Sequence, residues 1–267
     1  MSSFIHLVCD YAPGDLAWAE VMAALAAKLH DDAHMHITSI HAFDTISTGF
    51  VVAQLALTPA ELRPQNVLVF ANTAPRKDKK EARANNEGEG LLFATLKNGV
   101  QVLAVNSGYS LAFIRDDIQE LWSTNVEEVG SQFRSRDYFP TAVSKASRGD
   151  FSFIDHKLNI AEVIPDQPKD VVGYVDSFGN IKTTLRTGDA KLAELTPGSR
   201  LKVSVGHHLS AVTVATGSFN VLEGDLAFAP GSSGHERRFW ELFKRGGSAA
   251  DEFGHPVAGT QIKIQPA

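Results

Sequence analysis

The chain carries a single cysteine, Cys9, among 267 residues, so it can form no disulfide within itself and no thiolate cluster around a metal. Cys9 stands in an apolar run and reads as a small buried side chain. Positive charge is also scarce: 25 Lys and Arg against 31 Asp and Glu leave a net charge of -6. That balance offers no broad basic field for a nucleic-acid backbone, so no nucleic-acid partner is expected. No apolar run approaches the roughly 20 residues of a membrane-spanning helix, and MSSFIHLVCDYAPGD has no basic segment of the secretory kind. A cytoplasmic protein without a membrane partner is the expectation. G-x-G-x-x-G and P-loop patterns are missing, which leaves dinucleotide and triphosphate sites unsupported. HERRF (235–239) has Phe239 where a zinc-protease helix needs its second histidine. His207 and His208, being adjacent on a strand, point to opposite faces, so no metal site is expected.

What is present is enough apolar material, 43% of residues, for real cores in a chain longer than one core usually holds. FIHLVC (4–9), MHITSIH (35–41) and VLVFA (67–71) read as strands. Between them lie a helix capped by Asp15, with an apolar stripe through Leu16, Trp18, Val21, Met22, Leu25 and Leu29, and a second helix over FVVAQLAL (50–57). That order, βαβαβ, predicts an α/β N-terminal domain with a mainly parallel sheet over residues 1–150. LLFATL (91–96) and VQVLAV (100–105) flank Asn98-Gly99, a hairpin signal, and RDYFPTAVSKAS (136–147) reads as a closing helix. Residues 151–169 read as a linker. From 170 to 267 short strands at close spacing predict an all-β, barrel-like C-terminal domain, with helix signals only in ELFKR and SAADEFG.

Three stretches carry candidate chemistry. Asp10 ends the first strand, where ligands of open α/β sheets collect, and an acid there suits a sugar diol; it equally suits a turn. GYVDSFGNIKTTL (173–185) interrupts an alternating strand with Asp176, Phe178, Gly179 and Asn180. One reading is a hairpin tip. The other is a binding surface, because Asp176, Phe178 and Asn180 share alternation parity and would present a carboxylate, a stacking ring and an amide if the chain stays extended. The third stretch, 230–254, has two small-residue turns, GSSG and RGGSAA, that let a backbone approach a ligand. NTAPRKDKKEARANNEGEG (72–90) reads as a solvated loop, or as a lid bearing Arg76, Lys77, Lys79 and Lys80.

In chain order these pieces resemble the S-adenosylmethionine hydroxide adenosyltransferase family, related to the bacterial fluorinase and chlorinase. Asp10, Tyr11 and Asp15 are similar to the family's opening D-F-G and following acid; ITSIH ending at His41 resembles its V-D-I-S-H; Lys97 to Gly99 resemble its D-N-G. FRSRDYFPT (133–141) resembles F-H-G-R-D-x-F-A-P. DSFGNIKTT (176–184) is similar to D-x-F-G-N-x-x-T-N, GDLAFAPGSSG (224–234) to G-E-L-x-x-x-x-N-S-x-G, and ELFKRGGSAA (241–250) to E-I-A-x-x-x-G-S-A-A.

The resemblance implies a homotrimer that holds S-adenosylmethionine as substrate or ligand, with no other cofactor, between one subunit's N-domain and its neighbour's C-domain. By position, Asp10 binds ribose hydroxyls, and Asp176 and Ser232 the amino-acid end. Asn180 with the backbone at Gly247 and Ser248 reads adenine, and Phe178 and Phe219 stack on it. The reacting set departs from the family. Thr73, or Asn72 one residue earlier, stands where the hydrolases have Asp; Lys80 lies near their Arg; Arg134 replaces their His. Phe133 and Ser135 match the fluorinase's F-x-S, while that enzyme's Tyr, Thr and Trp are not reproduced. The expected function is binding of an adenosyl compound, with substitution at ribose C5′ to release methionine if the protein is active. The alternatives are a catalytically silent homologue and a halide-using or retuned nucleoside enzyme.

Overall fold

In a computed structural model, the structure describes residues 3–58, 64–74, 87–217 and 219–267. The chain divides into two compact units, Met1–Asp166 and Gln167–Ala267. Among the described residues, fourteen strands form two seven-stranded sheets, one in each unit.

In the first unit, β1 (Phe4–Cys9), β2 (His34–Ser39) and β3 (Val67–Asn72) bracket two helices, α1 (Leu16–Ala26) and α2 (Thr45–Leu57). Asp15 caps α1 by accepting from the Ala17 amide at 2.8 Å, leaving Trp18, Val21 and Leu25 buried and Leu16 exposed. Helix α2 starts five residues before the expected Phe50, because Asp44 accepts from the Ser47 amide and caps an earlier turn. The strands β4 (Leu91–Leu96), β5 (Gln101–Val105), β6 (Ile118–Thr124) and β7 (Ile154–Lys157) complete the sheet in the order β2-β1-β3-β5-β4-β6-β7.

This corrects the expected mainly parallel α/β domain. Pairs β1–β2, β1–β3 and β3–β5 are parallel, but β4–β5, β4–β6 and β6–β7 are antiparallel. The sheet is mixed and helices are few. The cause is local: Asn98 Oδ1 accepts from the Val100 amide, Gly99 takes φ 91, and the chain reverses there instead of crossing over through a helix. Two short helices, α3 (Arg134–Asp137) and α4 (Phe139–Ser147), follow β6, with Pro140 tolerated in the first turn of α4. Residues 154–163, expected as linker, form β7 and the one-turn α5 (Ile160–Val163) within the first unit. Ile5, Leu7, Leu68, Phe70, Phe93 and Phe139 belong to one core cluster, where α1 and α4 supply Val21, Leu25 and Val143.

The second unit holds β8 (Val172–Val175), β9 (Ile181–Arg186), β10 (Arg200–Val205), β11 (His208–Val214), β12 (Leu226–Pro230), β13 (Phe239–Lys244) and β14 (Ile262–Pro266), with α6 (Ala249–Glu252). Their order is β14-β10-β11-β12-β13-β9-β8, and this sheet is mixed too, since β11 and β12 run parallel. The expected barrel-like domain is thus a mixed sheet, with an isolated bridge between Val171 and Gln261. ELFKR, expected as helical, lies mostly in β13, where Leu242 and Phe243 are both buried. Alternation there is lost because both faces of that strand are covered. Val172, Ile181, Val203, Val212, Phe228 and Leu242 form its core.

Candidate functional site

The carboxyl ends of β1 and β3 lie side by side, Cys9 opposite Asn72, and hydroxyls gather there around the Asn72 amide. Tyr11 donates its hydroxyl to Ser135 Oγ at 2.8 Å. Asn72 Nδ2 donates to Tyr11 Oη at 2.7 Å and to Ser135 Oγ at 2.8 Å. Asn72 and Ser135 are buried, and burial pushes the Tyr11 phenol further above its ordinary value, outweighing the opposing effect of its hydrogen bonds with Ser135 and Asn72. The three groups that meet here are uncharged.

Thr73 turns elsewhere. Its Oγ1 meets Thr48 Oγ1 of α2 at 2.8 Å, and its carbonyl accepts from the Ser107 hydroxyl. Of the two candidate registers, Asn72 is therefore the residue brought to Ser135. Arg134 points to the segment before β4, donating to the Glu89 carbonyl at 2.7 Å and lying 3.6 Å from its carboxylate. Its guanidinium also sits 5.5 Å from the Phe139 ring centroid. Lys80, with Arg76, Lys77 and Lys79, lies outside the described residues. Asp10 accepts from the Phe43 amide at 3.0 Å and so holds the loop between β2 and α2, where Phe43 takes φ 67.

In the second unit the interrupted stretch is a turn between β8 and β9. The Gly179 amide donates to the Asp176 carbonyl and the Asp176 amide to the Asn180 carbonyl. The chain does not stay extended, so Asp176, Phe178 and Asn180 do not form one flat face. Instead the Asp176 carboxylate sits inside the turn. Its Oδ1 accepts from the Phe178 and Asn180 amides, both at 3.0 Å, and its Oδ2 accepts from Asn180 Nδ2 at 3.0 Å. Phe178, displaced outward, is 78% exposed, an unusual position for so large an apolar ring.

Lys182, on β9, reaches 3.3 Å from Asp176 Oδ2 and 2.5 Å from Glu241 Oε2 of β13. Burial and the Asp176 carboxylate together raise the phenol of Tyr174 on β8. Two glycines let neighbouring backbone close on this group. Gly179 has φ 77 and a Cβ there would collide with the Ser248 hydroxyl, while a Cβ on Gly231 would lie 2.8 Å from Glu241 Oε2. Ser248 caps α6, and the Ala250 amide donates to the Gly179 carbonyl at 2.8 Å, so the RGGSAA turn is tied to the Asp176 turn. Ser232 is exposed next to Gly231. Gly247 is exposed and bridges Lys244.

Phe219 stands apart from these partners, with Arg245 5.7 Å over its ring, in a recess of about 330 Å³ shared with Thr213, Asn220 and Asp225. Sequence reading missed Lys182 and Glu241 as members of the cluster. Lys182 shares the even parity of Asp176, Phe178 and Asn180, which was the available signal; Glu241 comes from a distant strand and had none beyond its motif.

No protein-family model matches the chain, and no curated protein matches it. Among the solved structures that share its fold are two conserved proteins. An uncharacterized conserved protein from Thermotoga maritima superposes with a TM-score of 0.75 at 16% identity, covering 98% of this chain and 100% of that one. A conserved hypothetical protein from Thermus thermophilus gives 0.68 at 19% identity, again over 98% and 100% of the two chains.

Proposed function

We propose that this chain binds an adenosyl compound of the S-adenosylmethionine type. The observation that carries the reading is the β8–β9 turn: an exposed Phe178 ring on a turn made rigid by Asp176, tied through Gly179 to the RGGSAA segment. A rigid, exposed aromatic suits stacking on a purine, a contact worth about 1–3 kcal/mol per base. The order of motifs shared with the S-adenosylmethionine hydroxide adenosyltransferase family supports the same ligand class. The homotrimer implied by that resemblance is part of the proposal.

The first unit favours a second reading of the chemistry. Attack of water on ribose C5′ needs a group that orients it and takes its proton. Tyr11, Asn72 and Ser135 are uncharged, and burial holds Tyr11 further from ionising. This set supports either a silent binding protein or substitution by a nucleophile that arrives already as an anion, such as a halide. Isothermal titration with S-adenosylmethionine, followed by incubation in water and then in chloride or fluoride, tests both readings. Binding without adenosine release is expected. Absence of binding overturns the proposal, and adenosine formed in water overturns the second reading.

A further inference from the structure

The Asp176 carboxylate is full. It accepts from the Phe178 amide, the Asn180 amide and Asn180 Nδ2, each at 3.0 Å, and pairs with the Lys182 ammonium 3.3 Å away. A carboxylate offers about four acceptor positions, so little is left for a ligand. Its neighbours differ. The Lys182 ammonium has three N–H donors, of which one goes to Glu241, while Asp176 lies within ion-pair distance at 3.3 Å. Glu241 gives Oε2 to Lys182 at 2.5 Å, and among the described residues Oε1 has no partner. Side-chain exposures of 13% for Lys182 and 18% for Glu241 leave both reachable but shielded enough from water to strengthen a charge contact. The glycine backbone at Gly231 approaches Glu241 where a side chain would not fit.

We infer that Lys182 and Glu241, not Asp176, read the α-amino-acid end of the ligand: Lys182 takes its carboxylate and Glu241 Oε1 its ammonium. A half-buried ion pair with one open valence on each partner matches a zwitterion of opposite polarity. It discriminates against a nucleoside that lacks the amino-acid tail, because the open donor and acceptor then stay unpaired. Asp176 acts at one remove, holding Lys182 and the turn in place, and is a positioning residue. The inference rests on the proposed adenosyl ligand for the identity of the tail's carrier.

The test is titration of wild type, Lys182→Met, Lys182→Arg and Glu241→Gln with S-adenosylmethionine, 5′-methylthioadenosine and L-methionine, with thermal melts to check folding. Lys182→Met and Glu241→Gln are expected to weaken S-adenosylmethionine at least about tenfold, with 5′-methylthioadenosine changed less than about twofold; a tenfold change corresponds to about 1.4 kcal/mol. Lys182→Arg, which keeps the charge, is expected to retain most of the affinity even if Lys182→Met folds poorly. Equal weakening of both nucleosides, or unchanged S-adenosylmethionine binding, overturns the inference. If wild type binds neither nucleoside, the adenosyl proposal fails alone. L-Methionine then decides: binding lost in Glu241→Gln upholds the subsite, and no binding to wild type overturns it.

Discussion

The polar cluster after β3 in the first unit and the turn after β8 in the second solve the same problem in opposite ways. Each gathers polar side chains around the end of one strand, β3 in the first unit and β8 in the second. In the first, Tyr11, Asn72 and Ser135 are neutral, largely buried and hydrogen-bonded to one another. In the second, Asp176, Lys182 and Glu241 are charged and part-exposed, and a bare phenylalanine ring stands beside them. A neutral buried network contributes to one packed arrangement, since each member lost leaves partners unpaired in a dry place. A part-exposed charged turn beside an exposed ring keeps contacts for something outside the chain.

Breaking each region separately sharpens this contrast. The largest effect is expected for Gly179→Ala. The positive φ and the collision with Ser248 should cost about 3 kcal/mol in chemical denaturation of the second unit, and should remove adenosyl binding with it. Asn72→Leu should cost about 2–3 kcal/mol, read by hydrogen exchange within the first unit, because the Tyr11 and Ser135 oxygens lose their shared donor.

A third, smaller effect belongs to His6 of β1, register-paired with His36 of β2. Burial and then His36 lower the His6 imidazole from 6.5 to about 4. Its folded form therefore resists protonation that the unfolded chain accepts. Stability is full above pH 6.5 and falls as pH drops towards 4, by roughly 2 kcal/mol once partial exposure is allowed for. His6→Phe should flatten that slope in a pH series of denaturation midpoints. The smallest stability change is expected for Phe178→Ala, within about 0.5 kcal/mol, since the ring is exposed. Yet this variant should weaken an adenosyl ligand about tenfold, and the gap between the two readouts is what marks a binding residue.

Much of the first unit could be read locally. Asp15 and its apolar stripe located α1, and Asn98-Gly99 located the β4–β5 reversal. What misled was extrapolation: the βαβ order of residues 4–71 was carried over a half-domain whose strands pair antiparallel, and periodicity says nothing about strand direction. ELFKR read as helix because a strand covered on both faces has the same continuous apolar content as a buried helix segment. At the turn, the shared parity of Asp176, Phe178 and Asn180 marked the stretch but implied an extended face that the turn does not make, and the partner of Lys182 left no local trace. Glu241 lies 59 residues away, and only the β9–β13 pairing brings it there.

The measurement that bears most directly on the central claim is a crystal structure grown with S-adenosylmethionine. The account predicts purine density stacked on Phe178, with the amino-acid tail against Lys182 and Glu241. Density that leaves Phe178 bare, or a Lys182–Glu241 pair untouched by the tail of a bound ligand, would contradict it.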